Sequence, residues 1–349
     1  MDAILPPPVG AAYKGCTEDR LKEARDTAGD SYLPTVFNPA TLVSKGPLRV
    51  AKDRIPGSKT EPEPGFDIYY ELHGTGPRKL AFVMGLNNSC FSWLDQVETF
   101  GSDPNCSVLV MDNRGYGNSG APMQRYRTSD MAQDVLDVME HIGWTDNKSV
   151  HLIGVSMGGM VSLEIARAKP ERLASLLLLS TTAGEGGNLP PTGGLQAIAK
   201  SVGEAMAGRV DMSSRVNRMV DVLFPPSWLE EKHPTDAQGR TKGEVTREVF
   251  LWRANFIRRP TGHGPLYQIG ACLTHRVSDA DLRTIADKVP KVAIHTGDWD
   301  QLVRTSHSEH LHNIMPKAEY RVWPETGHAI HYQHPDAFNA YVRSWIGLA

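Results

Sequence analysis

Residues 150–168 constrain this chain more than any other stretch. Val150 to Val155 reads as a buried strand and runs straight into Ser156 and the pair Gly158-Gly159. Met157 to Ala168 then has helical spacing and stops before Pro170. A strand that becomes a helix within one residue must bend sharply, and the bend is strained. Small residues two before it and two after it, here Gly154 and Gly158, avoid the clashes such a bend creates. The residue at the apex, Ser156, is then held with its hydroxyl turned outward. The pentapeptide Gly-x-Ser-x-Gly is common enough by itself to mean little; the strand before it and the helix after it give it weight.

The rest of the chain repeats the alternation. Phe66 to Leu72, Lys79 to Met84, Val108 to Met111, Ala174 to Leu179, Val292 to His295 and Glu319 to Val322 read as strands. Arg127 to Ile142 and Pro335 to Trp345 read as helices. Strands that alternate with helices predict an α/β fold, a mostly parallel sheet with helices on both faces. The alternation breaks between about 184 and 286, a largely helical stretch with breaks at Pro225, Pro226, Pro234 and Gly239. It is too long for a loop and predicts a helical insertion covering the strand ends. Residues 1–60 are rich in Pro, Gly and charge, with one helical pattern at Glu18 to Ala28. They are expected to form an arm or a strap, leaving 61–183 and 287–349 as the body and 184–286 as the cap.

Composition narrows the function classes. With 349 residues, 40% hydrophobic and 22% charged, the chain can bury a large core. A formal charge of −3 and no basic run give no reason to expect nucleic acid or an anionic membrane as partner. No apolar stretch approaches the ~20 residues of a membrane-spanning helix. The N-terminus MDAILPPPVG has neither a basic start nor an apolar segment of the secretory kind. Cys16, Cys90, Cys106 and Cys272 lie far apart without a Cys-x-x-Cys pair, so reduced thiols and an intracellular, cytoplasmic location are expected.

A serine hydroxyl is a poor nucleophile at neutral pH. It needs a base, and the base needs an orienting group. His328, flanked by Gly327, stands on a loop after the last strand and before the last helix, a fitting place for the base. The acid is expected after the strand Val292 to His295, where Asp298 and Asp300 share one turn and spacing alone does not separate them. His307, His310 and His312 crowd one helical segment without a metal-binding motif, and a hydrated helix face accounts for them. No metal or organic cofactor is implied.

From about Phe66 to the C-terminus the chain resembles the α/β-hydrolase superfamily, in its esterase/lipase-like branch with a helical cap. That family shows Gly-x-x-Asp-x-x-Val after the acid-bearing strand. Gly297, Asp300 and Val303 match it, which favours Asp300 over Asp298; the proline that usually follows is replaced by Arg304. Asp112-Asn113-Arg114-Gly115-Tyr116-Gly117-Asn118-Ser119 resembles a structural segment of the family. Met84-Gly85-Leu86-Asn87 occupies the place of its His-Gly oxyanion loop, with Met84 for the histidine. The resemblance implies a triad of Ser156, Asp300 and His328, with the backbone N–H groups of Leu86 and Met157 as oxyanion donors.

What the resemblance implies chemically is a serine hydrolase acting on a hydrophobic carboxylic ester or lactone through an acyl-enzyme. The same triad also serves acyltransferases, thioesterases and carbon–carbon bond hydrolases, and some members of the superfamily are ligand receptors or binding proteins. The insertion carries Met206, Met212, Met219, Leu223, Phe224, Trp228, Phe250, Leu251, Trp252, Phe256 and Leu266. Most are expected to pack the cap onto the body, and some to line an apolar acyl pocket.

Overall fold

The computed structural model describes residues 35–57, 62–184, 187, 189–206, 211–258 and 261–348; the helical pattern at Glu18 to Ala28 lies outside them. Eight strands form one sheet: β1 (Leu42–Val50), β2 (Phe66–His73), β3 (Arg78–Val83), β4 (Cys106–Met111), β5 (Val150–Val155), β6 (Leu173–Leu179), β7 (Val292–Gly297) and β8 (Glu319–Trp323). Their order is β1-β2-β4-β3-β5-β6-β7-β8. β2 pairs antiparallel with β1 and β4, and the remaining pairings are parallel.

The two faces of the sheet are sorted by residue parity, as a pleated strand requires. Leu80 and Phe82 of β3, Val108 and Val110 of β4, and Ile153 and Val155 of β5 face one core, with Phe100, Phe338 and Val342. Ala81, Val83, Leu109, Met111 and Leu152 face the other, with Val135, Val138, Val161 and Ile165. Helices α1 (Leu94–Gly101), α2 (Thr128–His141) and α3 (Met157–Ala168) supply part of these layers.

Between β6 and β7 come α4 (Thr192–Met206), α5 (Met212–Leu223), α6 (Pro226–Glu230), α7 (Lys242–Arg253), α8 (Gly264–Thr274) and α9 (Asp279–Lys288). Val216, Val220, Leu223 and Phe224 form a separate small core with Phe250 and Tyr332 packed against it. The Val277 N–H donates to the Ala183 carbonyl (2.8 Å), closing the neck of the insertion. The expected boundary at 286 therefore moves back, because α9 buries Leu282 and Ile285 in the core of the body. After β7 follow α10 (Thr305–Ile314), α11 (Ile330–Gln333) and α12 (Pro335–Trp345).

The N-terminal boundary moves too. Leu42–Val50, expected within the arm of residues 1–60, is the edge strand β1, paired along β2 from Leu42 opposite His73 to Val50 opposite Phe66. Just before it, Val36 and Phe37 are fully buried, Phe37 meeting His73 and Phe91 edge-on. Cys90 and Cys106 are free thiols. Among the described residues no helix is long and apolar enough to cross a membrane.

Candidate active site

The strand order reverses at β3: β4 lies on one side of it and β5 on the other. In an open α/β sheet such a switch point leaves a crevice at the carboxyl ends of the two strands. The loop 84–87 leaves β3 there, and Ser156 leaves β5. Ser156 has φ 57 and ψ −124, a left-handed conformation that a side chain adopts only when its surroundings impose it. They do so from three directions. The Ser156 N–H donates to the Leu179 carbonyl (2.9 Å). The Thr181 hydroxyl donates to the Ser156 carbonyl (2.7 Å). A β-carbon on Gly158 would stand 2.0 Å from the Val83 carbonyl oxygen, so only glycine lets α3 start this close to β3.

His328 and Asp300 meet, although 28 residues separate them. His328 Nδ1 lies 2.9 Å from Asp300 Oδ1 and 2.8 Å from Oδ2, and both side chains are almost wholly buried. Asp300 Oδ1 also accepts the N–H groups of Leu302 (2.8 Å) and Val303 (2.9 Å), so its own turn holds the carboxylate. Asp298 turns elsewhere: it is exposed, and its Oδ1 accepts the Thr326 N–H at 3.1 Å. The two aspartates that spacing could not separate thus occupy different sites.

The His328 loop follows β8, which lies three strands from β5, roughly 14 Å at ordinary strand spacing, and it meets the turn after β7 through Asp300. The insertion holds it there. The His328 N–H donates to the Leu223 carbonyl (2.9 Å), and a β-carbon on Gly327 would lie 2.1 Å from that same oxygen. Among the described residues no hydrogen bond joins Ser156 Oγ to His328. The alcohol–imidazole contact is the one link of the expected triad that this structure does not show.

Leu86 and Met157 flank the serine. A β-carbon placed on Gly85 would be 3.6 Å from Ser156 Oγ, which puts the loop against the side chain. Met157 opens α3, so its N–H has no intrahelical partner. Among the described residues neither the Leu86 nor the Met157 N–H donates to a protein acceptor. Two unused donors beside a helix N-terminus favour a developing negative charge.

The loop is fixed from beneath by buried Asp112, which accepts from the Ser89 hydroxyl (2.8 Å), the Cys90 N–H (2.7 Å) and the Asn118 N–H (2.7 Å). Burial pushes this carboxyl above its ordinary range, and those donors work against the shift. From above it is fixed by Gln268 of α8, which sequence reasoning missed. Its Oε1 accepts the Asn87 N–H (2.8 Å) and its Nε2 donates to the Arg114 carbonyl (2.8 Å).

A cleft of about 500 Å³, counting space open to solvent, lies between residues 87–92 and the insertion. Met212, Met219 and Phe250 line it, whereas Trp252 and Phe256 are fully buried and Leu266 is exposed. The Met206 side chain is outside what the structure describes. The histidines of α10 go separate ways: His307 to the Thr182 hydroxyl, His310 to Asp279 and His312 onto the Tyr320 ring.

Comparison with known proteins gives the following. The family model described as "Alpha/beta hydrolase family" matches residues 72–341. The chain is 25% identical over 340 residues to the dihydrolipoyllysine-residue acetyltransferase component of an acetoin cleaving system from Pseudomonas putida, spanning 97% of this chain and 80% of that one. A hydrolase from Pseudomonas aeruginosa PA01 superposes with a TM-score of 0.66 at 22% identity, covering 87% of this chain and 98% of that chain. The esterase RhEst1 from Rhodococcus sp. ECU1013 does so with a TM-score of 0.66 at 22% identity, covering 88% and 100%. At such identities the structural likeness is one of fold.

Proposed function

The chain belongs to the alpha/beta hydrolase family, and from that premise we propose that it is a serine hydrolase cleaving an apolar carboxylic ester or lactone. What supports this most is the strained Ser156 at the switch point, in the same structure as a buried His328–Asp300 pair. In the proposed mechanism His328 Nε2 takes the Ser156 proton as Oγ attacks the carbonyl carbon. Asp300 fixes the imidazole with its proton on Nδ1 and stabilises the cation that forms. The Leu86 and Met157 N–H groups receive the tetrahedral oxyanion, each such donor contributing ~3 kcal/mol to the transition state. His328 then returns its proton to the leaving alcohol, and water activated by the same nitrogen releases the acid.

The experiment is labelling with a fluorophosphonate, followed by a series of p-nitrophenyl esters of rising acyl length. The label is expected on Ser156 by peptide mass, with turnover maintained beyond acetate. A label that spares Ser156 removes the proposed nucleophile, and a strict preference for acetate removes the apolar acyl pocket.

Gln268 positions the loop rather than touching substrate. Gln268→Ala is expected to lower kcat by about 10- to 100-fold with a smaller change in KM, the size expected for a displaced reacting group. Gln268→Glu keeps an acceptor for the Asn87 N–H and should recover part of the loss. A fall in kcat matched by an equal rise in KM, with no recovery, would point to general loosening of the insertion.

A further inference from the structure

The cleft beside the oxyanion loop has two guanidinium groups in its lining, Arg215 from α5 and Arg253 from the end of α7, and no carboxylate. Arg253 is the unusual one, because it is buried (7% exposed). One of its N–H groups donates to the Phe91 carbonyl (3.3 Å), and its plane lies over the rings of Phe250 (4.4 Å) and Tyr332 (5.6 Å). Among the described residues no acidic side chain forms an ion pair with it. Asp95 senses its field: burial lifts that carboxyl to about 6 and Arg253 draws it down, but the two do not come within ion-pair distance. The remaining guanidinium donors are not among the buried, unpartnered atoms, and Arg253 lines the cleft.

A guanidinium sunk among aromatic rings with no carboxylate at ion-pair distance is costly, and ordinarily its charge is paired. Arg215 adds a second positive charge, its own guanidinium lying over the Tyr116 ring (6.0 Å). Apolar side chains, Met219 and Phe250 among them, form part of the wall, beside the polar Asn87, Asn88, Ser89 and Ser92. We infer that this cleft is a subsite for a carboxylate carried on the far end of an apolar substrate, with Arg253 as its bidentate partner and Arg215 as the outer charge. The planar fork of an arginine matches a carboxylate, and the methionine and phenylalanine wall suits the carbon chain before it. Asn87 links the two sites: it lines the cleft, and it stands two residues from Gly85 beside the serine. The substrate class becomes an ester or lactone that is itself an acid. This rests on the proposed hydrolase function and adds the substrate's charge to it.

The test compares mono-p-nitrophenyl adipate with its neutral methyl ester, by kcat/KM, in the wild type and in Arg253→Met, Arg253→Lys and Arg215→Gln. The wild type is expected to favour the acid, and Arg253→Met to reduce the acid-to-neutral ratio by about 10- to 100-fold, the size of a hydrogen-bonded charge pair. Arg253→Lys keeps the charge without the fork and should fall between; it and Arg215→Gln carry the test if Arg253→Met does not fold. Equal use of both esters, with a ratio that no variant moves, overturns the inference while leaving the hydrolase function standing. If neither ester is turned over, the hydrolase function fails by itself. Calorimetry with monomethyl adipate then decides the subsite: binding that weakens in Arg253→Met or Arg253→Lys supports it, and no binding to the wild type overturns it.

Discussion

Replacing Ser156 by alanine is expected to lower kcat/KM for ester hydrolysis by about 10⁶-fold, the scale seen when a triad nucleophile is removed. The fold should survive. The strain at position 156 resides in φ 57, and alanine carries the same β-carbon as serine, so the substitution changes nothing in the backbone account. The contacts that hold the elbow are made by main-chain atoms of Ser156, by the Leu179 carbonyl and by the Thr181 hydroxyl. Alanine keeps all of them. The measurement is nitrophenolate release beside a thermal unfolding curve. A variant that melts like the wild type and is inactive places the chemistry on the Ser156 oxygen; one that keeps more than a hundredth of the activity removes Ser156 from the mechanism.

The second large effect separates the two aspartates. Asp300→Asn is expected to reduce kcat by ~10⁴-fold, as loss of the correct imidazole tautomer does in triads of this kind, and Asp298→Asn by no more than a few-fold. The hydrogen bonds give the reason. Asp300 Oδ1 accepts from Leu302 and Val303, so an asparagine keeps its oxygen there and turns its NH₂ to the position of Oδ2. That position is 2.8 Å from His328 Nδ1. The imidazole must then accept at Nδ1 and carry its proton on Nε2, the nitrogen that has to receive the serine proton. At position 298 an asparagine oxygen can go on accepting the Thr326 N–H. Comparing kcat for the two variants on one ester settles it, and the reverse ranking would move the acid to Asp298.

How much could be read beforehand depended on how local each signal was. β5, Ser156 and α3 were legible to the residue because a buried run, a bend and a helix follow one another within 19 positions, 150–168. β1 was not. Its sequence, LVSKGPLRV, holds a glycine and a proline beside three polar or charged residues and has no clean alternation of burial. An edge strand tolerates such residues because one side of it needs no partner. Asp298 and Asp300 sit two positions apart; spacing did not separate them, the resemblance favoured Asp300, and the fold turns the Asp300 carboxylate to the imidazole. Gln268 touches Asn87 across 181 positions, and Arg253 touches Phe91 across 162. Neither lies in a motif, so nothing in composition or spacing marks them.

The bond from the His328 N–H to the Leu223 carbonyl makes the roof of the site a part of its engine. A displacement of Leu223 would loosen the loop carrying the imidazole at one point only, since the Gln333 side chain still accepts the Gly327 N–H (2.9 Å). The coupling is made by two main-chain atoms, and the missing β-carbon of Gly327 is what lets the two chains meet closely enough to form it.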